Sequence, residues 1–349
     1  MIKVLIVEDS QVVRDLLTYI FSSDPDIQVV GTASSGEEAV KAIEDKRPDI
    51  VTMDINMPKM DGYEATRIIM ETTPTPIVIV SASWDSKEVE KTFRAMEVGA
   101  LAAVRKPVGV AHPDYKDQVE ELIQTVKLMS EVKVVRRRPQ VTLKKYIPVI
   151  SPVSEPAHTI TNIKAVAIGA STGGPPVVEA ILSGLPKDFR VPLLIVQHIA
   201  PGFVQGFTDW LAGSCRFPVK IAKQCELLLP AHAYIAPDDV HMGVSMDGRI
   251  VLSTNASENG LRPSVSYLFR SAADVFGRNV VGVLLTGMGK DGAYELKTMQ
   301  EKGAITIAQD KESSVVYGMP GEAVALGAAM HVLSPEEIAV YLKRLVGDK

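Results

Sequence analysis

Cysteine is scarce: the 349 residues hold two, Cys215 and Cys225. Two thiols cannot complete a structural zinc site and offer no disulfide framework. They read as buried or free thiols of a reducing compartment. No apolar run reaches the length of a membrane span. The N-terminus, MIKVLIVEDS, enters a strand at once and lacks the apolar core of a signal peptide. The expectation is a cytoplasmic protein with no direct membrane insertion. Basic residues are not in excess either: the net charge is −5, which speaks against a nucleic-acid partner. What is present is a globular balance, 46% hydrophobic and 23% charged, long enough for two ordinary domains.

The chain is organised around Lys164 to Pro176, KAVAIGASTGGPP. Ala165 to Ile168 reads as a buried strand, and Val177, Val178, Ala180, Ile181 and Leu182 have helical spacing. Between them Gly169, Ser171 and Gly173 form G-x-S-x-G. That pattern suits a nucleophile elbow, in which small residues permit a sharp strand-to-helix turn that exposes the serine oxygen. The new helix start also offers unpaired N–H groups to an oxyanion. A phosphate-binding turn is the alternative. A dinucleotide fingerprint would need Gly at position 171 and an acid about 20 residues later. The next strand, Leu193 to Val196, ends instead in Gln197-His198. A P-loop is excluded because no Gly-Lys-Ser/Thr follows.

In the N-terminal half, short apolar strands alternate with helices. Lys3–Val7, Val29–Thr32, Ile50–Met53, Pro76–Val80 and Leu101–Val104 alternate with helical patterns, the last from about Asp117 to Ser130. Such alternation gives a doubly wound parallel (βα)5 sheet, with its site at the carboxyl ends of the strands. Glu8, Asp9, Asp54, Ser81 and Lys106 all fall at those ends. Three clustered acids repel unless a divalent cation holds them, and Mg²⁺ suits oxygen ligands. Asp54 then becomes a phosphoryl acceptor, with Ser81 and Lys106 on the phosphoryl oxygens. Singly, each of these residues reads as a solvated loop group.

Residues 1–130 resemble a response-regulator receiver domain, through VEDS (7–10), MDINMPKMDG (53–62), the hydroxyl in VSAS (80–83) and RKP (105–107). The resemblance implies phosphorylation of Asp54 by a histidine kinase. Ala103 stands where the family often carries a switch aromatic. From 131 to 162 the periodicity fades, with Arg136-Arg137-Arg138 and recurrent prolines, and this stretch reads as a linker.

In the C-terminal half His198 follows the strand Leu193–Val196. His241–Asp247 and Ile250–Ser253 read as a hairpin, and Arg262-Pro263-Ser264 opens a helix. Val280–Leu285 ends in a glycine-rich turn that holds Asp291. Taken alone, His198 reads as structural and Asp291 as a helix cap. Together, three strands end in Ser171, His198 and Asp291. These are an alcohol, an imidazole to take its proton, and a carboxylate to hold the imidazole tautomer. The order differs from the Ser, Asp, His order of α/β-hydrolases, so that fold is not expected.

Residues 163–349 resemble the catalytic domain of the CheB protein-glutamate methylesterases. The motifs are IGASTGGP (168–175), QHIAPGF (197–203), AYIAPDDVHM (233–242), RPSV (262–265), LLTGMGKDGA (284–293) and YGMPGEAV (317–324). The resemblance implies a mostly parallel α/β hydrolase with Ser171 as nucleophile, His198 as base, Asp291 as orienter, and Thr172 and Met288 near the oxyanion. It implies hydrolysis of glutamyl methyl esters and glutamine amides on the cytoplasmic helices of methyl-accepting chemoreceptors. No cofactor is implied for that chemistry. Ser266 stands where relatives often carry Asp, and altered surface contacts are expected there. A receiver-linked transcription factor would need a basic recognition helix, which is missing. A non-catalytic adaptor would not need the Ser, His and Asp set.

Overall fold

The computed structural model describes residues 1–81, 86–134, 162–215 and 217–346. The expected linker, apart from residues 131–134 and 162, lies outside them. The N-terminal half contains β1 (Ile2–Val7), α1 (Gln11–Ser22), β2 (Ile27–Ala33), α2 (Gly36–Lys46) and β3 (Ile50–Met53). It continues with α3 (Gly62–Thr72), β4 (Ile77–Ser81), α4 (Ser86–Val98), β5 (Ala102–Arg105) and α5 (Tyr115–Ser130). The strands form one parallel sheet in the order β2-β1-β3-β4-β5. Helices cover both faces, so the apolar runs of β3 and β4 are buried throughout, and that of β1 from Val4 onward. Asp61 caps α3, accepting the Glu64 N–H at 3.0 Å.

The C-terminal half starts with β6 (Ala165–Ala170), α6 (Gly174–Gly184), β7 (Leu193–Gln197) and α7 (Val204–Ser214). Next come β8 (Val219–Ile221), β9 (Ala233–Ile235), β10 (His241–Val244), β11 (Ile250–Ser253), α8 (Val265–Phe276) and β12 (Val280–Leu284). The chain ends with α9 (Ala293–Glu301), β13 (Ile305–Gln309), α10 (Met319–Ala325), β14 (His331–Leu333) and α11 (Pro335–Val346). Seven strands make a parallel sheet, β14-β13-β12-β6-β7-β9-β8, and β10 and β11 form the expected antiparallel hairpin apart from it. From β6 the chain winds first toward β7 and later back through β12. The order therefore reverses beside β6, and the crevice at the carboxyl ends of β12, β6 and β7 is the natural ligand site.

The two halves share an apolar contact. Phe93 of α4 lies 5.3 Å from Phe207 and 5.2 Å from Trp210 of α7, ring to ring. Gly206 brings α7 close: a Cβ there would lie 2.2 Å from Val89 Cγ1. Polar contacts border this patch, with Trp210 Nε1–H donating to Glu97 at 2.9 Å and Arg105 to the Pro201 carbonyl at 2.8 Å.

Candidate active site

Ser171 is the first residue beyond β6. Its N–H donates to the Thr286 carbonyl at 3.0 Å, which ties the turn to the neighbouring β12 end. Gly173 then takes φ +76, a left-handed conformation, and a Cβ there would also meet Val315 at 2.5 Å. Helix α6 begins directly afterwards, with proline in its first turn where no N–H is needed. The expected sharp strand-to-helix turn is therefore present between β6 and α6.

His198 is the first residue beyond β7, and its N–H donates to the Ala170 carbonyl at 2.8 Å. Its ring Nε2 lies 3.0 Å from Asp291 Oδ2. Asp291, 2% exposed, sits beyond β12. Its carboxylate accepts the Ser264 hydroxyl at 2.8 Å and the N–H groups of Val265 at 2.7 Å and Ser266 at 3.2 Å. Asp291 does not cap its own helix, whose N-cap is Gly292. In space it sits at the N-terminus of α8, where the helix dipole favours an anion. Burial works to raise its pKa, but the bonds from His198, Ser266 and Val265 outweigh it and hold the carboxyl well below the usual range. An ionised carboxylate only accepts, so the imidazole proton is held on Nε2 and the Nδ1 lone pair stays available. Among the described residues no hydrogen bond joins Ser171 Oγ to His198.

Ser171, Thr172, His198 and Met288 line a cavity of about 570 Å³. Its far wall comes from the N-terminal half: Phe93, Met96, Ala103, Glu121 and Gln124. The Thr172 carbonyl is taken by the Thr286 hydroxyl at 3.0 Å. Among the described residues the N–H groups of Thr172 and Met288 have no partner.

Sequence reasoning missed three supports of this arrangement. Ser264 was visible as a helix opener, but its bond to Asp291 joins residues 27 apart in the chain. Thr286 and Gln197 stand at strand ends, where nothing in the local sequence marks their contacts with the Ser171 turn. Ser266 needs a correction: it is 3% exposed, not a surface position. Its hydroxyl accepts the Gly292 N–H at 2.9 Å and donates to Glu295 at 2.5 Å. A serine fits there because the space beyond it is filled by the Glu295 carboxylate.

At the carboxyl end of the first sheet, Glu8, Asp9 and Asp54 bring carboxylate oxygens within 4.8 Å of one another. Lys106 Nζ lies 2.8 Å from Glu8 and 3.0 Å from Asp54. Burial pushes the Glu8 and Asp54 carboxyls up, with Lys106 offsetting part of it. Burial also works against the Lys106 charge, but Asp54 and Glu8 outweigh it and hold the ammonium above its usual value. The structure brings four of the five expected residues together. The fifth, Ser81, donates its hydroxyl to Glu88 at 2.6 Å.

Residues 166–342 match the family model for CheB methylesterase, and residues 4–113 match that for the response regulator receiver domain. A protein-glutamate methylesterase/protein-glutamine glutaminase of Syntrophus aciditrophicus is 57% identical over 348 residues, 100% of this chain and 99% of the relative. One from Nitrosospira multiformis is 55% identical, with coverage of 100% and 98%. The crystal structure of the Thermotoga maritima CheB methylesterase catalytic domain superposes with a TM-score of 0.51 at 37% identity, covering 53% of this chain and 100% of that one. Matches that span both halves at this identity leave one conclusion: the chain belongs to the CheB methylesterase family, with a response-regulator receiver domain ahead of the catalytic part.

Proposed function

We propose that this protein is a phosphorylation-activated hydrolase of chemotaxis adaptation. It removes methyl groups from glutamyl esters, and deamidates glutamines, on the cytoplasmic helices of chemoreceptors. Residues 1–130 are its receiver domain, 131–162 its linker and 163–349 its catalytic domain. The observation that carries the reading is the Asp291–His198 bond beside Ser171, on three adjacent strand ends facing one cavity. His198 Nδ1 takes the Ser171 proton as Oγ attacks the ester carbonyl. The oxyanion is met by the Thr172 and Met288 N–H groups. Collapse expels methanol, protonated by His198, and leaves a glutamyl-serine ester. Water, losing a proton to the same Nδ1, frees the glutamate. An amide follows the same course with ammonia as leaving group. Methanol release from methylated receptor tests this directly, and a wild-type protein that releases none would reject it.

The receiver residues in the cavity wall supply the regulation. A histidine kinase phosphorylates Asp54, and the docked receiver, which bars a receptor helix from Ser171, loosens. Glu8, Asp9 and Asp54 provide hard oxygen donors in a pocket where Lys106 offsets only part of their charge. That donor set fits Mg²⁺, which supplies neutralising charge to the phosphoryl oxygens. Lys106 pairs with the same oxygens, and Ser81 leaves Glu88 to do so. The esterase site uses no cofactor. Substrate and kinase both place the protein in the cytoplasm.

Two predictions test this control. Gly206→Ala puts a methyl group against stiff Val89 while favouring the α7 helix by up to about 1 kcal/mol. Turnover without phosphodonor should rise roughly threefold to tenfold, a shift of ~1 kcal/mol in docking, and the phosphodonor gain should shrink. An unchanged basal rate rejects the blocking model. Asp54→Asn should abolish the response to acetyl phosphate. Because the folded carboxyl is raised, its ionised form destabilises the fold: stability is full at low pH and falls as pH rises from about 3.8 through the folded value. In EDTA at pH 7 the asparagine variant should therefore melt higher than wild type. A lower Tm contradicts that.

A further inference from the structure

Gln197, 3% exposed at the end of β7, is not used by the mechanism above. Its Nε2 donates to the Ser171 carbonyl and to the His198 carbonyl, both at 2.8 Å. One amide nitrogen thus links the main chains of the nucleophile and the base. We propose that Gln197 is a positioning residue that aims the oxyanion donor, the Thr172 N–H, by holding the carbonyl of the same peptide.

A trans peptide is planar, so the Ser171 C=O and the Thr172 N–H point to opposite sides. The Ser171 carbonyl is gripped by two donors, Gln197 Nε2 and the Gly174 N–H at 2.8 Å. Its direction is fixed, and so is that of the Thr172 N–H, away from the Gln197 amide. The next peptide is held as well, because the Thr286 hydroxyl takes the Thr172 carbonyl at 3.0 Å. Thr286 is itself anchored, its N–H bound to Gln309 Oε1 at 2.8 Å. The donor cannot swing while charge develops, and such preorganisation is what makes an oxyanion site effective.

The arrangement also has a cost. Gln197 Oε1 is buried and has no partner among the described residues, which is unfavourable for an amide. An apolar side chain of equal length would avoid that penalty but would donate nothing. Only the two hydrogens on Nε2 account for an amide at this position.

The inference rests on the hydrolase reading, and its test separates the two. The phosphorylated full chain and its Gln197→Met variant are compared in methanol release from methylated receptor. The variant keeps side-chain length and loses both donors. The expected result is a kcat about tenfold to a hundredfold lower, less than outright loss of a donor. KM should stay within about twofold, since the donor acts in the transition state rather than on bound substrate. Phenylboronic acid, whose adduct with Ser171 places an oxygen at the oxyanion position, should lose affinity by a similar factor. The midpoint of the pH–rate profile should not move. A kcat above half the wild-type value overturns the proposal. So does a shifted pH midpoint with unchanged boronate affinity, which would put Gln197's effect on His198 instead. If Gln197→Met does not fold, Gln197→Glu carries the same test, because a buried carboxyl there offers at most one O–H in place of the two N–H donors that the Ser171 and His198 carbonyls share. A wild-type chain without activity rejects the hydrolase reading instead.

Discussion

Ser171→Ala is expected to lower methanol release from methylated receptor by about 10⁴- to 10⁶-fold, because a serine hydrolase without its nucleophile keeps only what substrate binding and the oxyanion site supply. The fold should not suffer. Ser171 is held through its main chain: the N–H on Thr286, the carbonyl on Gln197 and Gly174. The hydroxyl takes part in no hydrogen bond among the described residues, so alanine removes no structural contact. Melting temperature should stay within a few degrees, and the variant should still bind receptor. Both measurements matter, because lost activity with a lowered Tm would not identify a nucleophile. Retention of more than about a tenth of the wild-type rate would remove Ser171 from the chemistry.

The part of this site that was legible in the sequence is the part carried by strand ends. Each of β6, β7 and β12 is a short, fully buried apolar run, and a parallel sheet places whatever follows such runs along one edge. Ser171, His198 and Asp291 could therefore be gathered before any coordinates. The same logic gathered Glu8, Asp54 and Lys106. Element limits shifted by a residue or two, as with α5, which begins at Tyr115 rather than Asp117. What could not be read were contacts set by tertiary packing. The α8 N-terminus points its donors at Asp291 only because α8 packs over β6 and β12. Gln197 grips the Ser171 carbonyl across 26 residues of sequence. No local pattern marks either contact. Nor does composition reveal that α4 and α7 meet at Gly206, since a glycine in a helix reads as a weakness until its neighbour is known.

Asp291→Asn is the second large effect, up to about 10⁴-fold in rate by the loss seen when a triad aspartate becomes asparagine. Asp291 accepts from four donors and has nothing to give: His198 Nε2–H and the Val265 N–H on Oδ2, the Ser264 hydroxyl and the Ser266 N–H on Oδ1. Asparagine replaces one oxygen with an NH2 group, so one pair of donors meets a donor. With the NH2 toward His198, the ring must turn its unprotonated Nε2 to it, and the proton moves to Nδ1, where Ser171 needs a lone pair. With the NH2 toward Ser264, the hydroxyl can rotate to accept but the Ser266 N–H is left buried and unpaired. Either way the charge that stabilises an imidazolium is gone. A simple helix cap would behave differently, because Asn caps nearly as well as Asp, and near-normal turnover would make Asp291 a cap and nothing more. Stability gives an independent sign. The folded carboxyl lies below its ordinary value of 3.8, so its contribution is present above about pH 4 and lost as pH falls through the folded value. Asp291→Asn should be less stable than wild type at pH 7, and the gap should close as the two are titrated below pH 4. A gap of constant size across that range would show that the anion, as opposed to the shape of the side chain, contributes nothing.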